Sequence, residues 1–155
     1  MDETDRQILH LLQRDATLSV REVGEAVGLS PTPCWRRIKK LEDDGVIAGR
    51  VALVRPESVN LGVTALVMIR TNEHTKDWLA RFVAGVQRFE EVVEAFRTSG
   101  EIDYLLKVRV PDIAAYDAFY QRLIEEVDLY DVRSTFVMEE IKNTTTVPLQ
   151  YAGPA

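Results

Sequence analysis

The sequence predicts an α+β chain built from two modules, helices first and strands alternating with helices afterwards. Three observations carry that prediction. Apolar residues before residue 48 recur at helical spacing between capping and stop signals. From residue 63 onward, period-two runs alternate with helical stripes. Charge is divided between the two parts: the first 55 residues hold nine Lys/Arg and nine Asp/Glu, whereas the rest hold ten and sixteen and so carry the whole net charge of −6.

Size and composition narrow the function classes. At 155 residues and 46% apolar content, the chain forms one ordinary domain or two small ones. The longest strongly apolar run, residues 63–69, is far shorter than the roughly 20 residues of a membrane-spanning helix. The acidic N-terminus lacks a signal peptide's charged and apolar regions, so a cytoplasmic location is expected. A lone cysteine, Cys34, and two isolated histidines, His10 and His74, supply neither an internal disulfide nor metal-ligand spacing, and no cofactor is expected. Paired carboxylates, a nucleophile constellation, a phosphate loop and G-x-G-x-x-G are all missing, so the chain is not expected to be an enzyme.

In the first helix Ile8, Leu9 and Leu12 share a face, Thr4 serves as cap, and Asp15-Ala16-Thr17 closes the segment. In the second, Ser19 and Glu22 form an S-x-x-E capping box, Val23 and Val27 face inward, and Gly28 supplies the stop. Only Gly28 and Leu29 separate it from Ser30, the cap of the third helix, which makes the pair a helix-turn-helix. Residues 46–54 alternate loosely and read as a strand, half of a small wing. The expected domains are 1–54, a hinge at 55–62, and 63–155.

In the second module, residues 63–70 read as a strand and 75–86 as a helix with Trp78, Leu79, Phe82, Val83 and Val86 inward. Residues 92–98 and 102–110 are strands joined through Ser99-Gly100-Glu101. Asp112 caps a helix to about residue 127 with Ile113, Tyr116, Tyr120 and Leu123 inward, and 131–141 is a last strand. The order βαββαβ is that of the ferredoxin-like split βαβ unit, an antiparallel sheet with both helices on one face.

The third helix carries the chemistry. Pro31 and Pro33 are tolerated because first-turn amides lack intrahelical partners, and they make the entry rigid. At 100° per residue, Cys34, Ile38 and Leu41 share the packing face, with Trp35 at its margin. Thr32, Arg36, Lys39 and Lys40 share the opposite face. The basic cluster coincides with the positive end of the helix dipole, while Glu42, Asp43 and Asp44 at the far end repel phosphate. Such a helix docks its first two turns into a DNA major groove. Cys34 reads as a small buried hydrophobe.

The stretch LSPTPCWRRIKKLEDDGVI, preceded by DETDRQILHLLQRD and followed by TSGEIDYLLKV, resembles the Lrp/AsnC family, the feast/famine regulators, over essentially the whole chain. The resemblance implies a transcriptional regulator with an N-terminal plain or winged helix-turn-helix. It also implies a C-terminal effector and oligomerisation domain, dimers that pair through their sheets, and often octamers or larger assemblies that change with bound amino acid. Carried over by residue, Ser30, Thr32, Pro33, Trp35, Arg36, Arg37 and Lys40 match the recognition-helix motif. The Ser30 and Thr32 hydroxyls suit phosphates, Arg36 suits a bidentate guanine contact, Arg37 and Lys40 suit the backbone, and Trp35 fixes the helix against its neighbours. Ser19 and Arg21 add phosphate contacts from the preceding helix.

The glycine-acid hairpin, Thr98-Ser99-Gly100-Glu101-Ile102-Asp103-Tyr104, matches the part of the family that helps form an amino-acid site between subunits. An amino acid needs an anionic acceptor beside N–H or hydroxyl donors. In that reading Asp103 accepts from the ammonium, amides around Gly100 hold the carboxylate, and Ser134 or Thr135 adds a hydroxyl. Ile102 stands where the family usually has an aromatic. The TPCW variant, the EDDG helix end and the MEEIKNTTTVPL tail are similar to the family's cysteine-responsive detoxification regulators, which makes cysteine the expected effector; residues 143–149 are expected as an extra edge strand. Palindromic duplex DNA and self-association are the other expected partners. Two competing readings share the architecture: a sirohaem-decarboxylase-like enzyme, which needs histidine or arginine groups in a large pocket, and a DNA-independent amino-acid-sensing module, against which the intact helix-turn-helix argues.

Overall fold

The structure is a computed structural model that describes residues 1–127 and 129–152. The chain divides into two compact units: Met1–Ala52 together with the segment from Lys142 onward, and Leu53–Ile141.

The first unit holds α1 (Glu3–Leu12), α2 (Val20–Val27) and α3 (Pro31–Asp43) around a core of Ile8, Leu9, Val23, Cys34, Ile38 and Leu41. Asp2, not Thr4, caps α1: the Asp2 carboxylate accepts from the Asp5 amide and the Asp5 carboxylate from the Asp2 amide. A carboxylate pair satisfies two orphan amides at once, which a threonine two residues further in cannot do. The expected wing strand is absent. Residues 46–54 have no ladder partner, and a lone extended segment cannot satisfy its backbone as a strand. Val51 and Leu53 there stand 78% and 72% exposed.

In the second unit, a 3-10 turn at Pro56–Val59 leads into β1 (Val63–Arg70), followed by α4 (Lys76–Val86), β2 (Val92–Arg97), β3 (Tyr104–Val110), α5 (Ile113–Glu126) and β4 (Asp131–Phe136). The sheet is antiparallel in the order β2-β3-β1-β4, as the split βαβ pattern requires. Ala65, Val67 and Ile69 of β1 and the alternate residues Tyr104 to Val110 of β3 are buried against Trp78, Phe82, Phe119 and Leu123 of the two helices. On α5 the inward stripe is Tyr116, Phe119 and Leu123, whereas Ile113, expected inward, is 55% exposed in the first turn.

The last strand stops five residues early. The amide of Val137 makes the final bond, to the Thr64 carbonyl at 2.9 Å, and Glu140 then pairs with Arg109 at 2.9 Å. The expected edge strand at 143–149, placed from sequence in the second domain, belongs instead to the first unit. Gln13 clamps Val147 there, donating Nε2 to its carbonyl at 3.4 Å and accepting its amide at 2.6 Å, and Leu149 packs against the helical core. A side chain on α1 thus takes both backbone groups that a sheet neighbour would have taken. The last three residues of the sequence-based domain lie outside the described residues.

Candidate functional site

The turn between α2 and α3 is tight because two glycines make it so. Gly28 ends α2 in the left-handed region, at φ 72°, where a side chain is strained. At Gly24, inside α2, an added Cβ would lie 2.8 Å from the Leu29 carbonyl oxygen and 3.4 Å from Cys34 Cβ. The backbone of the turn therefore rests on a bare α-carbon, fastened by the Leu29 amide donating to the Gly24 carbonyl at 2.8 Å. α3 can then be capped at Ser30, two residues after Gly28, and start at Pro31. Burial pushes the Cys34 thiol up, away from the reactive thiolate.

The basic residues of α3 are not equivalent. Lys39 pairs with Asp43 at 2.8 Å and Lys40 with Asp44 one turn on, and these carboxylates raise both ammonium pKa values. Arg37 is gripped by Asp2 and Asp5 at 2.6 and 2.8 Å. Arg36 is exposed and, among the described residues, is the one basic side chain of α3 with no ion-pair partner. Thr32 and Pro33 are exposed beside it. Ser30 occupies the N-cap position without a side-chain capping bond, so its hydroxyl stays open to a ligand. Trp35, expected to brace the helix, is 54% exposed: at 100° per residue it falls past the edge of the Cys34–Ile38–Leu41 stripe. Ser19 is occupied in its capping box with Glu22, and Arg21 is paired with Glu25 at 2.8 Å.

The hairpin between β2 and β3 is a six-residue loop, 98–103. It closes through the Thr98 amide on the Asp103 carbonyl at 2.9 Å and the Thr98 hydroxyl on the Ile102 carbonyl. Gly100 at its tip has φ 130° and is exposed, as is Glu101. Asp103 accepts the Thr71 amide on Oδ2 at 2.8 Å, tying the hairpin to the end of β1. Tyr104 is core: it is 6% exposed, and its ring lies tilted against Phe82 with the centroids 4.4 Å apart. Ser134 and Thr135 are not gathered to this hairpin within the chain. They pair in register with Val67 and Leu66, so they face opposite sides of the sheet two to three residues from the row Tyr104–Ile69–Val132 that borders the loop. The Ser134 hydroxyl is bonded to the Tyr116 hydroxyl.

Sequence reasoning overlooked Asp2, Asp5, Gly24 and Thr71. A signal existed for Gly24, a glycine inside a helical pattern, which marks a close approach. Asp2 and Asp5 carried one too, the D-x-x-D spacing of a capping box, but their grip on Arg37 and the Asp103–Thr71 bond join residues more than thirty apart and leave no local trace. His10, given no role from sequence, lines an open cleft of about 870 Å³ with Arg6, Leu11, Val27 and Leu149. Its arginine already holds Glu3 and the Ala152 carbonyl.

Residues 1–42 match the AsnC-type helix-turn-helix domain, and residues 64–147 match the Lrp/AsnC ligand binding domain. The DNA-binding transcriptional activator DecR of Escherichia coli is 50% identical over 151 residues, covering 97% of this chain and 99% of that protein. The crystal structure of an AsnC family transcriptional regulator from Agrobacterium tumefaciens superposes with a TM-score of 0.95 at 58% identity, covering 97% of this chain and 99% of the other. A transcriptional regulator from Neisseria meningitidis in complex with L-Met superposes with a TM-score of 0.94 at 40% identity, covering 98% and 99%. The relatives are regulators, not enzymes.

Proposed function

The chain belongs to the Lrp/AsnC family of transcriptional regulators, and from that premise we propose that it binds duplex DNA through the N-terminal half of α3. The observation that carries this reading is the isolation of Arg36. Every other cation of the helix has an anion beside it, whereas this guanidinium stands unpaired and exposed next to the Thr32 and Ser30 hydroxyls at the positive end of the helix. A planar fork of donors suits the O6/N7 edge of guanine, and open hydroxyls and amides suit phosphate. Lys40 takes a backbone role, exchanging Asp44 for a phosphate. Trp35, exposed beside Arg36, is placed to touch the groove wall. A dimer presents two such helices to half-sites roughly 34 Å apart, which calls for palindromic operators.

The second half of the reading is an amino-acid effector at the 98–103 hairpin. What supports it is the L-Met bound by the Neisseria relative, together with the chemistry of the loop: an exposed glycine turn offering amides, and an Asp103 carboxylate with one oxygen committed to Thr71. Ser134 and Thr135 contribute from a second copy of the chain, since they lie apart from the loop within one. Cysteine heads the list of effectors through the resemblance of the helix and tail motifs. The protein acts in the cytoplasm, where its DNA is.

Gel-shift titrations on a selected duplex and a scrambled one, with and without a panel of amino acids led by cysteine and methionine, test both halves. Arg36→Ala is expected to weaken the selected duplex by about 1–3 kcal/mol and to bring it toward the scrambled one. Lys40→Ala weakens both alike and lowers the salt slope by about 1 per subunit. Equal, sequence-blind losses for both variants would remove Arg36 from base reading, and indifference to every amino acid would remove the hairpin site.

A further inference from the structure

Arg37 lies inside the basic run of the recognition helix, and by position alone it belongs to the phosphate-binding set. Its surroundings say otherwise. The Arg37 Nη1 group donates to Asp2 Oδ2 at 2.6 Å and to Asp5 Oδ1 at 2.8 Å. The remaining oxygens of the same two carboxylates close the capping box of α1: Asp2 Oδ1 accepts the Asp5 amide at 2.9 Å and Asp5 Oδ2 accepts the Asp2 amide at 3.0 Å. All four carboxylate oxygens are therefore assigned, two to starting α1 and two to holding α3.

We propose that Arg37 is a positioning residue for DNA recognition, fastened by the capping carboxylates of α1 so that the roll of α3 aims Arg36 at a base edge. The inference rests on the DNA-binding reading given above. Two carboxylates around one guanidinium leave a local charge of −1, so an approaching phosphate meets net repulsion there, unlike at the unpaired Arg36. To reach DNA, Arg37 would also have to abandon two carboxylates for which, among the described residues, it is the one ion-pair partner within 4 Å. Meanwhile the core residues Cys34, Ile38 and Leu41 all lie on one face of α3, packed against α1 and α2. Arg37 supplies a second hold, on the flank next to Ile38, and Arg36 is one residue and 100° away on the same turn. A helix held on a face and on a flank has a defined roll, and bidentate base contacts demand one.

The test measures affinity against salt concentration, at a temperature where circular dichroism shows every variant folded, for the full chain on a duplex that the wild-type protein selects from a random pool and on a scrambled one. Arg37→Gln is expected to reduce the ratio of selected to scrambled affinity about tenfold while leaving the salt slope at the wild-type value, because no phosphate contact is lost. Arg37→Lys restores part of the ratio. Asp5→Asn, which leaves the arginine in place, lowers the ratio in the same direction and adds little to Arg37→Gln. A slope shallower by about 1 per subunit in Arg37→Gln, or an unchanged ratio, overturns the proposal. Tighter binding with a steeper slope in Asp5→Asn also overturns it, for that means the carboxylates merely mask a phosphate ligand. Where Arg37→Gln does not fold, the Asp5→Asn result decides alone. Failure of the wild-type protein to select any duplex at low salt strikes instead at the DNA-binding reading, and takes this inference with it.

Discussion

Asp2 shows how much one residue near a chain end can carry. It caps α1, exchanges bonds with Asp5 and holds Arg37, and the Asp5 amide, followed by the Arg37 guanidinium, keeps its carboxyl below the ordinary aspartate range. Because the folded-state pKa is the lower one, the unfolded chain binds the proton more readily. The charged form's contribution is thus complete above the unfolded aspartate pKa and disappears as pH falls through the folded value. Asp2→Asn isolates this charge, since asparagine caps a helix about as well. The variant is expected to be less stable than the wild-type protein at neutral pH and to converge with it in strong acid, as followed by urea denaturation of the helical signal across the pH range. A constant gap at all pH values rules out the charge as its source. The basic run in residues 36–40 was legible as a patch, but the division of labour within it was not, because a one-dimensional reading cannot see that Asp2 and Asp5 return to Arg37 from more than thirty residues away.

At the scale of elements, periodicity and capping signals located nearly every helix and strand. They failed where an element depends on a partner. The Ser19–Glu22 box, the Gly28 stop and the Pro31 start appear as local chemistry dictates. The strand expected at 46–54 has side chains suited to a sheet but no neighbour to bond, and β4 ends at Phe136 for the same reason. The helix-turn-helix depends on one contact that composition does not advertise, the approach of the Leu29 carbonyl to Gly24. Gly24→Ala forces backbone against Cβ and is expected to destabilise the first unit by about 1–3 kcal/mol. At Gly49 an added Cβ meets nothing within 4 Å and φ is not positive, so Gly49→Ala is expected to stay within about 0.5 kcal/mol. Denaturant titrations of the two variants compare them directly, and equal effects would show that the turn has slack. On the sheet side, the hairpin's glycine and acid residues were readable as a motif. That Tyr104 turns into the core was foreshadowed by its place in the alternation of 102, 104 and 106.

For the whole molecule, the informative departure from sequence order is the C-terminal segment, which closes on α1 through Gln13 and Leu149 and so makes the DNA-binding unit discontinuous in sequence. Ending the chain after Ile141 keeps all of the second unit but removes those contacts. The truncated protein is expected to lose about 1–3 kcal/mol from the first unit alone, from three hydrogen bonds, that of Arg6 to the Ala152 carbonyl included, and one partly buried leucine, while the sheet unit unfolds as before. Near-ultraviolet signals from Trp35 and Trp78, one in each unit, report the two transitions separately. An unchanged first transition means the segment rests on α1 without supporting it.

Local chemistry by itself determined the order of the helices and of the four sheet strands, the two-module plan, and the third helix with its buried and exposed faces, because each is written in short spacings along the chain. Which arginine is unpaired and which is held, where residues 142–152 fold, and that Ser134 and Thr135 lie apart from the hairpin within one chain were decided only by tertiary structure. Those are questions of what lies within a few ångströms across large separations in sequence, and there competing partners, not propensity, choose the outcome.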